Sequence, residues 1–178
     1  MDATQALSLN QFAALLLPRR RAPDVLTLAA DLALQKPLRV VDGGNLFNVL
    51  VLSRMVRLRT ERVVEVLNRI SISRAFTCYQ MEAMLADLDA CRGPLLVLDL
   101  LGTFYDESVD DRQSQRLLAN CIAHLKRASS GKPVLVSVFP PRQAEKRLFL
   151  MDMLLQGIDH VWQWEAAEKP PQQPMLWE

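Results

Sequence analysis

The sequence is poor in the residues that build metal and disulfide sites. Its 178 residues include three cysteines and two histidines. No CxxC pair and no His–Cys ligand spacing occurs among them, so neither a zinc site nor a disulfide framework is predicted. The pattern fits buried free thiols in a reducing compartment. We therefore expect a cytoplasmic protein with no bound metal or other cofactor.

Long apolar runs and a strong net charge are also absent. No apolar stretch reaches the about 18 residues that a membrane span needs, and no basic segment followed by an apolar core predicts a signal peptide. The net charge of +1 argues against a surface that attracts nucleic acid everywhere, although local basic patches remain compatible with it. Half of the residues are hydrophobic, so a folded domain with its own core is expected.

Short strand patterns alternate with helical patterns along the chain. Alternation of this kind predicts an α/β fold of three layers, with a mostly parallel sheet between helices on both faces. One domain is expected over residues 1–166, and a proline-rich tail over residues 167–178. Apolar or alternating runs predict four of the strands, at Leu38–Asp42, Ile70–Arg74, Leu95–Leu98 and Val134–Val138.

A basic segment, Pro18-Arg19-Arg20-Arg21-Ala22-Pro23-Asp24, lies between the apolar run Phe12–Leu17 and a helix predicted over Val25–Gln35. In many nucleotide-binding α/β domains, a loop in this place binds phosphate. The segment has none of the glycines, the lysine or the Ser/Thr of the GxxxxGK[ST] pattern. Asp24 is a good N-cap for the helix, and a carboxylate there would repel phosphate. The segment is thus predicted to stand where a phosphate loop would, without its chemistry.

Three segments follow predicted strands, at the edge of the sheet where ligands of such folds bind. They are Asp42-Gly43-Gly44-Asn45, the segment Arg74–Gln80, and Asp99 after the apolar strand. Their order resembles that of the RecA-type recombinase ATPase core, over roughly residues 12 to 164. The resemblance implies a RecA-like fold with a degenerate phosphate loop at Pro18–Asp24. It also implies a link to DNA recombination or repair.

The same resemblance implies that hydrolysis has been lost. Asp99 stands where the family has its Walker B carboxylate, but Gly44 stands where an acidic residue would polarise the attacking water. Phe139 and the prolines after it supply no polar sensor. Because phosphoryl transfer needs several such parts together, we expect no enzyme. We expect a binding or assembly component whose partner is an unknown protein, a second copy of itself, or DNA.

Five arginines are candidates for contact with nucleic-acid phosphate. Arg19, Arg20 and Arg21 are consecutive, and Arg54 and Arg57 fall on one face of a helix predicted over Leu46–Leu58. The two groups would form one basic stripe only if that helix shares a face with the loop. The competing interpretation is an ordinary set of solvated surface charges.

Two other functions stay open. Asp42-Gly43-Gly44-Asn45 also resembles the DGxN opening of PIN/NYN ribonucleases, in which strand-end carboxylates hold magnesium or manganese. Such a site would use Asp42, Asp99 and one of Asp106, Asp110 or Asp111. That motif normally opens the first strand, whereas here a helix precedes it. The other alternative is a residual nucleotide-binding protein, in which Arg19–Arg21 replace the missing lysine.

Overall fold

The computed structural model describes residues 11–88, 93–105, 108–140 and 147–164. At its centre is a six-stranded sheet in the order β3-β2-β4-β5-β1-β6, with every strand parallel to its neighbours. The predicted α/β fold is therefore confirmed. The predicted tail, Cys91, Asp106 and Glu107 lie outside the described residues. The strands are β1 (Phe12–Leu16), β2 (Leu38–Asp42), β3 (Ile70–Arg74), β4 (Leu95–Leu98), β5 (Val134–Val138) and β6 (His160–Gln163).

The strand sequences follow from where the strands lie in the sheet. The central strands β4 and β5 are buried along their whole length, and both are continuous apolar runs except for Ser137. Parallel strands covered on both faces require such runs. The edge strand β3 is only partly covered, and its sequence alternates polar and apolar residues. These patterns explain why the four predicted strands have the predicted bounds.

Within the described residues, six α-helices cover the two faces of the sheet. Helices α1 to α3 share one apolar cluster with one face, and α4 to α6 share a second cluster with the other. No helix among the described residues is long and apolar enough to cross a bilayer. The helices are α1 (Ala22–Gln35), α2 (Val49–Arg57), α3 (Val63–Leu67), α4 (Cys78–Ala86), α5 (Asp111–Ser129) and α6 (Leu148–Gln156).

The crossovers define where a ligand edge would lie. The chain moves from β1 through β2 to β3 over the face of α1 to α3, and then returns over the other face. Neighbouring strands β2 and β4 therefore lead into opposite faces at their carboxyl ends. Such a topological switch point opens a crevice in parallel sheets. The switch point places Asp42 and Asp99, which end or follow these two strands, side by side.

The first helix begins earlier than predicted. It starts at Ala22, because Pro23 fits the first helical turn, where its missing N–H is not needed. Asp24 consequently lies inside the first turn, and the prediction that it caps the helix is wrong. Its carboxylate accepts a hydrogen bond from Arg21 Nε at 2.6 Å. Arg21 occupies the N-cap position without a side-chain capping bond.

The second helix begins later than predicted. Asn48 caps it by accepting hydrogen bonds from the N–H groups of Leu50 and Val51, so the helix starts at Val49 and not at Leu46. The segment before Asn48 remains a loop. It remains a loop because the N–H groups of Leu46 and Phe47 donate hydrogen bonds to the carboxylate of Asp42.

Candidate functional site

Asp42 is fully buried at the carboxyl end of β2 and holds the loop that follows it. Its Oδ1 accepts hydrogen bonds from the N–H groups of Gly44 and Leu46, at 3.2 and 3.0 Å. Its Oδ2 accepts from the N–H of Phe47 at 2.9 Å and from Arg74 Nε at 3.1 Å. A carboxylate offers about four acceptor sites, so this one is fully used within the chain.

The neighbouring carboxylate, Asp99, has a different environment. Its residue is 1% exposed, and its backbone N–H donates to Ser137 Oγ at 3.0 Å. Neither carboxylate oxygen accepts a well-aligned hydrogen bond from the described residues. Arg19 Nη2 lies 3.3 Å from Oδ2, and weaker polar contacts with Arg19 and the backbone of Gly102 favour the ionised form. Desolvation by burial raises the pKa of Asp99 to about 6, against the opposing effect of the Arg19 charge. Asp99 is thus a buried, incompletely satisfied acid beside one arginine.

Two glycines close the space around the Asp99 side chain. A Cβ at Gly44 would lie 2.5 Å from both Cβ and Oδ2 of Asp99, and one at Gly102 would lie 2.9 Å from Oδ2. Only a residue without a side chain allows so close an approach. A glycine is therefore sterically required at position 44, because any side chain there would displace Asp99.

Replacing Gly44 with Ala should lower the free energy of unfolding by about 1–3 kcal/mol, since the added methyl group collides with a buried side chain. Urea denaturation would measure the change. Gly131 is the matched control, because a Cβ there meets no atom within 4 Å. A Gly131→Ala protein should keep its stability or gain slightly. Equal stability of both variants would show that the residues around Asp99 can move to accept the methyl group without a cost in free energy.

The arginine run of the basic segment is folded back onto the protein. Arg19 lies in a short 3₁₀ turn, pairs with Asp99 and stands over the ring of Phe139, 5.5 Å from its centroid. Arg21 pairs with Asp24 and stands over the Trp164 ring, 4.8 Å from its centroid. Arg20, by contrast, is exposed. Most of the charge predicted to contact nucleic acid at this loop is therefore balanced within the chain.

The two basic groups do not form one stripe. Arg54 and Arg57 are exposed in the last turn of α2. That helix begins after the carboxyl end of β2 and leads through α3 to the start of β3. It therefore runs back toward the end of the sheet at which the parallel strands begin. Its nine residues span about 13 Å. Arg19–Arg21 follow the carboxyl end of β1, which places the two groups toward opposite edges.

The carboxylates of the ribonuclease alternative are not assembled into a metal site. Asp110 caps α5 by accepting a hydrogen bond from the N–H of Gln113, and Asp111 pairs with Arg147. Among the residues with described positions, no group of three or more His, Cys, Asp or Glu side chains could hold a metal ion. Asn45, the remaining strand-end candidate, is exposed with a φ of 54°, which asparagine tolerates better than most residues.

Two residues near Asp99 were not predicted from the sequence. Ser137 Oγ accepts a hydrogen bond from the backbone N–H of Asp99. The sequence offered a clue to Ser137, because it is the one polar residue in an otherwise apolar strand. Tyr105 has a buried hydroxyl with no hydrogen-bond partner in the described part of the chain. Burial raises the pKa of Tyr105 far above its usual value, and the charge of Asp99 adds to the effect. No spacing in the sequence connects Tyr105 to Asp99.

Comparison with known proteins adds no family. No protein-family model matches the chain, and no curated protein matches it either.

Proposed function

We propose that this chain is a non-hydrolysing protein of RecA-like architecture that acts by binding and assembly, in DNA recombination or repair. The observation that carries the proposal is the contact between Arg19 and Asp99. In the proposed correspondence, the arginine stands in place of the phosphate loop and the aspartate in place of the metal-binding carboxylate. The ion pair between them would then use both groups within the chain, and neither would be available to a nucleotide or its metal.

The surroundings of this ion pair support the loss of hydrolysis. Phosphoryl transfer requires backbone N–H groups and cations aimed at the phosphates, and a carboxylate that is available to the metal. At the start of α1, Pro23 has no N–H and Asp24 adds a negative charge. At Gly44, no acidic side chain would fit without moving Asp99. Several independent features thus oppose nucleotide chemistry at one place.

The surface supports a role in binding. Strand β3 is at the edge of the sheet, and its free edge carries backbone groups able to pair with another chain. Exposed apolar side chains occur in β3 and in the residues that follow it, namely Ile72, Phe76 (71% exposed) and Tyr79. Large exposed apolar groups that lie together mark interaction sites in soluble proteins. This corner of the fold therefore suits self-association or a protein partner.

Calorimetric titration with Mg-ATP should show no submillimolar binding. The physical reason is that the site lacks free phosphate donors and holds its own ion pair. The variant Arg19→Ala should also fail to bind, because releasing Asp99 does not create a phosphate loop. Submillimolar binding by the natural chain that disappears in Arg19→Ala would instead establish a nucleotide-binding protein that uses this arginine.

The same preparation also tests the ribonuclease alternative. Incubation with single-stranded RNA and manganese should leave the RNA intact, since Asp42 has no free acceptor site for a metal. Manganese-dependent cleavage that is lost in Asp99→Asn would replace the proposed function with a nuclease. Asp99 is the better residue for this test, because its carboxylate, unlike that of Asp42, is not saturated by well-aligned hydrogen bonds.

A further inference from the structure

The outward side of α2 exposes apolar residues that the core does not use. Leu52 and Val56 face the sheet and are buried. Leu50 and Leu58 lie on the opposite side and are 77% and 74% exposed. Since they are eight residues apart, they share one ridge of the helix. The adjoining α3 packs against α2, and Val64 at its start is a further apolar residue that is 72% exposed.

Arginines interrupt and flank this ridge. Arg54 lies midway between Leu50 and Leu58 on the ridge, and Arg57 lies beside it; both are exposed. Arg62, before α3, has a side chain that is 77% exposed and lies 3.7 Å from Glu65. That glutamate is also paired with Arg69, so it neutralises Arg62 incompletely. Glu61 is exposed beside Arg62, but the arginines outnumber the two glutamates. The combination is an exposed aliphatic surface whose rim is positive on balance.

We propose that this α2–α3 surface, formed by Leu50, Arg54, Arg57, Leu58, Arg62 and Val64, docks an acidic amphipathic helix of a partner protein. The leucines and the valine would pack against the apolar stripe of the partner helix, in the way that helix ridges fit neighbouring grooves. The arginines would face its carboxylates. The inference rests on the proposed binding role and names the kind of partner that this role requires.

Charge and side-chain chemistry favour this occupant over three others. A second copy packed through the same surface would bring Arg54 and Arg57 of both chains together, and like charges oppose that pairing. Single-stranded nucleic acid binds through aromatic platforms, and the surface has no aromatic residue. A bilayer would have to accept Arg54 between the two leucines that would insert. A carboxylate-bearing helix satisfies the leucines and the arginines together.

Fluorescence anisotropy with a labelled synthetic helix tests the proposal on the full-length chain. The probe carries a leucine stripe rimmed by glutamates, and a second peptide carries lysines in place of the glutamates. The glutamate peptide should bind in the micromolar range, and the lysine peptide should not. Arg54→Glu/Arg57→Glu should weaken binding about tenfold or more, because the charge pairing is reversed. Leu58→Ser should weaken it as well.

Arg112→Glu/Arg116→Glu is the matched control. It makes the same charge change at two exposed arginines of α5, on the other face of the sheet, and should leave binding unchanged. Equal binding of both peptides, or unchanged binding by Arg54→Glu/Arg57→Glu, would overturn the proposal. Binding of phosphatidylglycerol vesicles or a single-stranded oligonucleotide without binding of the glutamate peptide would also overturn it. None of the substituted residues belongs to the Arg19–Asp99 ion pair, so either result leaves the nucleotide titration interpretable.

Discussion

Replacing Asp42 with Asn should lower the free energy of unfolding by about 2–4 kcal/mol. The carboxylate is fully buried and accepts four hydrogen bonds, three of them from the backbone of the loop that follows β2. An asparagine keeps one acceptor oxygen and turns an N–H₂ group toward donors that it cannot satisfy. It also leaves Arg74 without its charge partner. Urea denaturation followed by circular dichroism measures the loss.

The control for this variant is Asp24→Asn, which makes the same change in a carboxylate that also pairs with an arginine. Asp24 lies at the surface, so its loss should change stability by less than about 1 kcal/mol. If Asp42→Asn were as stable as Asp24→Asn, Asp42 would not be what holds the loop. The carboxylate would then be free for another role, and the ribonuclease alternative would regain support.

Strand positions were predictable because burial in the middle of a parallel sheet leaves a direct mark on the sequence. Leu95–Leu98 and Val134–Val138 are covered on both faces and are apolar except for Ser137. Ile70–Arg74 is at the edge and alternates. In each case, the pattern of apolar residues within the strand matches its burial in the sheet. A short window of residues was therefore sufficient to predict the strand.

Helix starts were less predictable because more than one residue could serve as the cap. Asp24 is a favourable capping residue, but Pro23 before it is equally favourable inside a first turn, and the structure uses the latter. Leu46 and Phe47 are apolar and fit the helical pattern of the residues that follow, so the sequence predicts a helix from Leu46. The N–H groups of these two residues nevertheless donate to Asp42, and the next residue, Asn48, caps a helix that begins at Val49.

The core of the candidate site could not be predicted, because its contacts join residues far apart in the chain. Motif order placed Asp42 and Asp99 at strand ends, and the structure brings those ends together. Nothing in the sequence indicates that Arg19 turns onto Asp99 instead of toward solvent. Likewise, Gly44 resembles a missing acid until the distance to Asp99 shows that the glycine is sterically required.

Asp99 has an energetic feature that sets it apart from Asp42. Desolvation raises its pKa to about 6, from an ordinary value of 3.8, so folding favours the protonated form. The stabilisation that this proton provides is fully present below about pH 4 and is lost as the pH rises through about 6. At neutral pH, Asp99 is therefore an ionised group held in an unfavourable place. A residue that lowers stability in this way is a candidate for a functional role.

Asp99→Asn should accordingly make the protein more stable at neutral pH, by up to about 3 kcal/mol, because a shift of one pKa unit corresponds to about 1.4 kcal/mol. The amide resembles the protonated acid in shape and carries no charge that burial would penalise. Arg19 is one-third exposed and can turn its charge to water. The advantage should shrink as the pH falls from about 6 to about 4, where the natural side chain takes up its proton.

Urea denaturation of both proteins at a series of pH values from neutral to acidic shows whether desolvation of Asp99 or its pairing with Arg19 has the larger effect on stability. If the Arg19 pair outweighed desolvation, Asp99→Asn would be the less stable protein at neutral pH, and the natural chain would lose stability on acidification through its folded pKa. If desolvation dominates, the two curves differ most at neutral pH and converge in acid. Convergence would mean that the Arg19–Asp99 pair lies at the carboxyl ends of the strands at a net cost in stability. A destabilising buried pair of this kind is a candidate for a functional role.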